Sequence, residues 1–169
     1  MDFVSSLCAF VFADLKQLSQ RSQREDTEDT KGRHKGHQEE SKSMNENELA
    51  NRAIGLSIDI HRSLGPGLLE NAYEECLYFK LLQAGFKVEK QRPMPLVYEE
   101  VKLECGYRID LVVENKLVVE VKSVDAIHPI HLAQTLTYLR IGDYRLGLLI
   151  NFNVELLRDG VKRVINGNL

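Results

Sequence analysis

The segment "YRIDLVVENKLVVEVKS" (residues 107–123) sets two acids and a lysine, Asp110, Glu120 and Lys122, inside the most apolar stretch of the chain. Apolar residues alternate on either side of a short polar interruption, which predicts a β-hairpin. If the loop is Glu114, Asn115 and Lys116, Val113 faces Leu117, and counting back along both strands sets Asp110 opposite Glu120. Asp110, Val112, Val118, Glu120 and Lys122 then share one face, and Ile109, Leu111, Val113, Leu117, Val119 and Val121 share the other. A loop of two or four residues would undo that registry. Directly opposed residues have Cβ atoms ~4.5–5.5 Å apart, where like charges destabilise a sheet. Two carboxylates so placed share a proton or a cation. A hard divalent ion such as Mg²⁺, held by one or two carboxylates and by substrate phosphate oxygens, suits the spacing. Lys122 points to the same side, within reach of an attacking water or of charge developing on a phosphoryl group. Such a set would carry out metal-assisted phosphodiester hydrolysis. The ordinary alternative is a wet strand face with an Asp–Lys or Glu–Lys ion pair, which contributes little. Val112 and Val118 on the same face tell against a fully wet surface.

The elements that must position this hairpin follow from the change of period along the chain. Asn45 with Glu48 makes a capping pair, and Leu49, Ala53, Leu56, Ile60 and Leu64 recur at helical spacing until "GPG" stops the run. A second helix follows Gly67, with Leu69, Ala72, Tyr73, Cys76, Leu77 and Ala84 on one side and Gly85 at its end. The period then becomes two, through "FKVEKQ" and "LVYEEVKLECGYRIDLVV" to "KLVVEVKS", with Pro93 and Pro95 as interruptions. Pro129 opens a third helix that ends near Gly142; "YRLGLLINF" reads as a further strand, and "VKRVI" closes the sheet. The helical connection between Lys122 and Tyr144 permits a parallel crossover. The expected class is α/β, a mixed central sheet flanked by helices.

The chain has 169 residues, enough for one domain with a sizeable core, at 43% apolar and 28% charged residues. Three cysteines, Cys8, Cys76 and Cys105, show no paired spacing, which predicts a reducing, cytoplasmic setting with Cys76 and Cys105 as core thiols. The net charge of −3 offers nucleic acid no general attraction. Residues 1–43 read as a disordered extension: "FVSSLCAFVFA" is far shorter than the ~18 apolar residues of a membrane span, and the following stretch has almost no large apolar side chains. No membrane association is expected. The domain proper spans residues 44–169. His34 with His37, and His128 with His131, lack the further ligands that a zinc site needs.

Asp110, then nine residues, then "EVK" at 120–122, resembles the PD-(D/E)XK nuclease superfamily. The sequence is similar more closely to a group of small bacterial proteins named for the motif GxxExxY, here "GLLENAY" with Gly67, Glu70 and Tyr73. "IHRSLGPGLLENAYEECL", "CGYRIDL", "VEVKS", "HLAQTLTYL" and "LGLLINF" carry the likeness over nearly the whole of residues 44–169. The resemblance implies a restriction-endonuclease-like core that cleaves DNA with Mg²⁺ or Mn²⁺. It implies Asp110, Glu120 and the backbone carbonyl of Val121 as metal ligands, Lys122 as the catalytic lysine, and Glu70 as an acid that helps bind metal or water. Gln134 and Tyr138 match the QxxxY element of RecB-like nucleases, which positions the site and the DNA backbone. The proline that often precedes the first acid is Ile109 here. On the third helix, Leu132, Leu136 and Leu139 form an apolar stripe and His131, Gln134 and Tyr138 a polar one, with His131 a candidate phosphate contact. Small nuclease-fold domains often work as homodimers. The alternative to an enzyme is a catalytically silent module that binds nucleic acid or protein on the same scaffold.

Overall fold

A computed structural model describes residues 44–103 and 107–169. The expected extension over residues 1–43, with Cys8, His34 and His37, and the core thiol expected at Cys105 lie outside the described residues.

Helix α1 (Glu46–Leu64) starts where the capping pair requires. The Asn45 side chain accepts the Glu48 N–H at 2.9 Å, and the Glu48 carboxylate accepts the Asn45 N–H at 2.8 Å. Its inner stripe buries Leu49, Ala50, Ala53 and Ile60. Helix α2 (Glu70–Gln83) is shorter than its apolar pattern suggests. Leu69 is its N-cap residue and 76% exposed, and Ala84 is its exposed C-cap, so neither joins the core. The buried stripe is Tyr73, Leu77 and Leu81, one residue every turn, and positions 69 and 84 fall beyond its ends.

Strands β1 (Val88–Pro93), β4 (Arg108–Val113), β5 (Leu117–Lys122), β6 (Leu146–Asn151) and β7 (Val161–Ile165) form one sheet in the order β1-β4-β5-β6-β7. A separate ribbon pairs β2 (Leu96–Tyr98) with β3 (Val101–Leu103). All neighbours in the main sheet are antiparallel except β5 and β6, which run parallel. Helix α3 (Pro129–Ile141) makes the crossover between those two, and a short turn of helix, α4 (Leu157–Gly160), leads into β7. Strand β6, "LGLLIN", is buried at every position, as expected for a strand covered on both faces.

The sheet divides two cores. On one face, Leu111, Val113, Leu117, Val119 and Val121 of the hairpin pack with Leu146, Leu148 and Ile150 under α1 and α2. On the other, Val112 and Val118 meet Tyr138 and Leu139 of α3. Ile109 departs from the alternation expected for it, because it packs with Val112 and Val118 and not with Leu111 and Val113. Regular pairing of β4 with β5 stops at Leu111↔Val119, so the strict two-residue period no longer governs the residues beyond it.

Candidate active site

The hairpin registers as its three-residue loop requires: Val113 pairs with Leu117, Val112 with Val118 and Leu111 with Val119. One step further the backbone ladder gives way to side chains. The Val121 N–H donates to Asp110 Oδ2 at 2.9 Å, and the Asp110 N–H donates to Glu120 Oε1 at 3.4 Å. Two carboxylates thus fill the gap where the strands part, each taking a donor from the opposite strand.

Glu120 is only 2% exposed. Burial pushes its carboxyl up to about 8, the negative charge of Asp110 adds to the rise, and Lys122 opposes it. Burial also raises Asp110, against the stabilising Val121 N–H and the Lys122 ammonium. Lys122 Nζ stands 3.9 Å from Glu120 and 3.9 Å from Glu70. Acid, acid and lysine are therefore together, and Glu70 joins them from the first turn of α2.

Glu70 is held there by the rest of its motif. Gly67 has φ of 100°, a backbone conformation that a side chain would strain. The buried Tyr73 stacks on Phe152 at 4.3 Å, donates its hydroxyl proton to the Gly65 carbonyl at 2.6 Å and accepts the Leu68 N–H at 3.2 Å. Ser123 donates its hydroxyl to the Leu68 carbonyl at 2.6 Å and its N–H to Glu70 Oε1 at 3.1 Å. Gly67, Glu70 and Tyr73 thus fasten the loop between α1 and α2 to the end of β5. Asn151, at the end of β6, accepts the Val124 N–H at 3.0 Å and donates to the Val124 carbonyl at 2.8 Å, which fixes the chain just past Lys122.

Helix α3 covers the charged face. Tyr138 is buried, and its hydroxyl accepts from Gln134 Nε2 at 2.7 Å. Its ring packs with Ile109, Val112 and Val118; burial raises its phenol, Gln134 opposes this, and the charges of Glu120 and Asp110 raise it further. His131 is turned to the start of its own helix, where Nδ1 accepts the His128 N–H at 3.2 Å.

Two participants gave little warning in the sequence. Glu74 lies one turn after Glu70, a spacing that puts both carboxylates on one side of α2. Burial raises its carboxyl, Gln91 opposes this, and Asp110 raises it further. Gln91 on β1 donates to Glu74 Oε1 at 2.8 Å and more weakly to Asp110 Oδ1 at 3.4 Å.

A family model described as PD-(D/E)XK nuclease superfamily matches residues 47–164, which contain the whole constellation. The chain belongs to that superfamily. Its five-stranded mixed sheet with flanking helices is the α/β nuclease fold. No curated protein and no solved structure matches the chain.

The donor set at this PD-(D/E)XK site suits a divalent cation. All of its side-chain donors are oxygens, the choice of Mg²⁺ and Mn²⁺. The buried Glu120 also faces a second carboxylate, and only the 3.9 Å contact with Lys122 and the long 3.4 Å bond from the Asp110 N–H offset its charge. No three His, Cys, Asp or Glu side chains among the described residues group as a metal cage. An ion held by two carboxylates, a backbone carbonyl, water and substrate needs no such cage. Among the described residues, no helix is long and apolar enough to cross a membrane.

Proposed function

We propose that this domain is a Mg²⁺- or Mn²⁺-dependent nuclease of the GxxExxY group, hydrolysing phosphodiester bonds in DNA as a soluble bacterial cytoplasmic protein. The observation that carries the reading is the gap between β4 and β5, where Asp110 and Glu120 replace backbone rungs with Lys122 beside them. Asp110, Glu120 and the Val121 carbonyl would hold the cation, with Glu70 in support. When bound, the cation supplies Lewis-acid stabilisation of the phosphate oxygens and a more acidic water.

The residues of the chain do the rest. Lys122, 15% exposed at its side chain, presents an ammonium that orients the attacking water and stabilises charge on the phosphate. Glu70 holds that ammonium at 3.9 Å while its other oxygen is tied to the Ser123 N–H. Tyr138 and Gln134 close the α3 side against bulk water, and His131 at the rim contacts a flanking phosphate. Incubation of purified protein with DNA and RNA and each metal tests this. Wild type is expected to cut, while Asp110→Ala, Glu120→Ala and Lys122→Ala lose cleavage but keep a folded circular dichroism spectrum. No cleavage by wild type with either metal across a range of salt would end the enzyme reading.

A catalytically silent binding module is the second reading, favoured by the net charge of −3 and by the pairing of Lys90, next to Gln91 on β1, with Glu75. Mn²⁺ titration separates the two. A nuclease site binds the ion and loses it in Asp110→Asn, whereas a silent scaffold shows no such dependence.

A further inference from the structure

Gln91 stands in the middle of β1 with φ of 53°, in the left-handed region that non-glycine residues enter only at a cost. The β1–β4 ladder breaks at the same point: Lys90 pairs with Leu111 and Arg92 with Ile109, but the pair between them, Gln91 with Asp110, is missing. A strand that only needed to pair would carry an extended residue there, as it does on either side. The distortion turns the side-chain amide into the space between α2 and β4. One nitrogen, Nε2, donates to Glu74 Oε1 at 2.8 Å and to Asp110 Oδ1 at 3.4 Å. Asp110 Oδ2 is already fixed by the Val121 N–H at 2.9 Å.

We infer that Gln91 is a positioning residue. Anchored on Glu74, its amide holds the free oxygen of the Asp110 carboxylate so that both oxygens are oriented, one from each neighbouring strand. Glu74 serves as the counterweight. It is a carboxylate with burial of its own to offset, and it accepts the stronger of the two bonds and sets the amide plane. The amide is suited to this because it donates without carrying charge. A lysine or arginine here would neutralise Asp110 outright and compete with any cation for it.

The effect on cleavage rests on the proposed nuclease reading; the effect on Asp110 does not, and the test separates them. Gln91→Gly removes the amide and also relieves the backbone, so a structural role and a positioning role predict opposite things. In Gln91→Gly the melting temperature is expected to equal or exceed that of wild type. Amide exchange at Val121, whose N–H is held only by Asp110 Oδ2 in this pairing, is expected to speed up about tenfold relative to Val119. The turnover number is expected to fall about tenfold or more with KM for DNA within a factor of two, because the reacting group and not the binding surface has moved. Gln91→Asn, which tolerates the left-handed backbone but is one methylene too short to span both acids, is expected to match the glycine variant in exchange and turnover at wild-type stability. Selective loosening of Val121 in a protein whose wild type cuts nothing would uphold the positioning role and remove the nuclease reading. Unchanged Val121 exchange in both variants, or uniform acceleration of all β5 amides with a lowered melting temperature, would overturn the inference.

Discussion

Glu120 concentrates the electrostatic cost of the site in one side chain. A carboxyl whose folded value is about 8, against an ordinary 4.5, binds its proton more tightly in the folded than in the unfolded state. Its contribution is therefore neutral to stability below about pH 4.5 and increasingly unfavourable as pH rises toward 8, where the penalty levels off. Glu120→Gln keeps the shape and removes the ionisation. At pH 7 the variant is expected to be more stable than metal-free wild type by up to about 3 kcal/mol. Urea unfolding from pH 4 to 9 checks this, because the gap between the two proteins must open above the unfolded value and stop widening near 8. A gap independent of pH would mean that burial does not set the state of Glu120. The same proton predicts the behaviour of a bound cation, which must displace it. Mn²⁺ affinity should climb with pH and flatten above about 8, and calorimetry in buffers of different ionisation enthalpy should detect proton release on binding at pH 7.

At the scale of the element, the site is a junction: the end of β5, the loop before α2 and the end of β6 are tied by side chains that mimic backbone. Tyr73→Phe tests one tie. It keeps the ring against Phe152 but leaves the Gly65 carbonyl and the Leu68 N–H without the hydroxyl that serves both, at an expected loss of ~1–3 kcal/mol. Thermal unfolding measures that loss, and faster amide exchange at Leu68 and Ser123 would show it reaching Glu70. Gly160→Ala tests another, since a Cβ there would lie 2.2 Å from the Asn151 carbonyl oxygen, and backbone must move. Asn151 holds Val124, so the variant is expected to lose more than about 2 kcal/mol and to weaken cleavage in the molecules that remain folded. The hairpin register was legible in the sequence because loop length and apolar alternation agree, and either would have failed alone. Gln91 was not legible. In "FKVEKQ" it looks like an ordinary outward polar residue, and only the packing of α2 against the sheet gives it two acids to bridge. The helical spacing puts Tyr138 in a polar stripe, yet it is more buried than Leu132 and Leu136, because α3 lies over the charged face and its polar side is an inner side.

For the molecule as a whole, the question is how an acidic protein would hold a polyanion. With 22 Lys and Arg against 25 Asp and Glu, general attraction is absent. Several cations on β1 and just before β6 are also engaged: Lys90 with Glu75, Arg92 with Asn115 and the face of Tyr144, and Arg145 with Glu46 and the Asn168 carbonyl. Affinity then has to come from a few local contacts near the acids, together with a cation bridging protein and phosphate. The exposed Arg108, at the start of β4 and two residues from Asp110, is placed to supply one of them. Each phosphate neutralised by a side chain contributes about −0.9 to the slope of log K against log salt on duplex DNA. A footprint of two to four such contacts therefore predicts a slope of about −2 to −4, far shallower than that of a basic DNA-binding domain. Binding should also depend steeply on Mg²⁺ or on Ca²⁺ as a non-cleaving substitute. Fluorescence anisotropy with a labelled duplex, titrated with KCl at fixed divalent ion, measures the slope. Arg108→Ala should make it shallower by about one unit. A steep slope that survives both chelation and Arg108→Ala would instead reveal a large basic surface elsewhere, and the acid pair would then not be what brings nucleic acid to this fold.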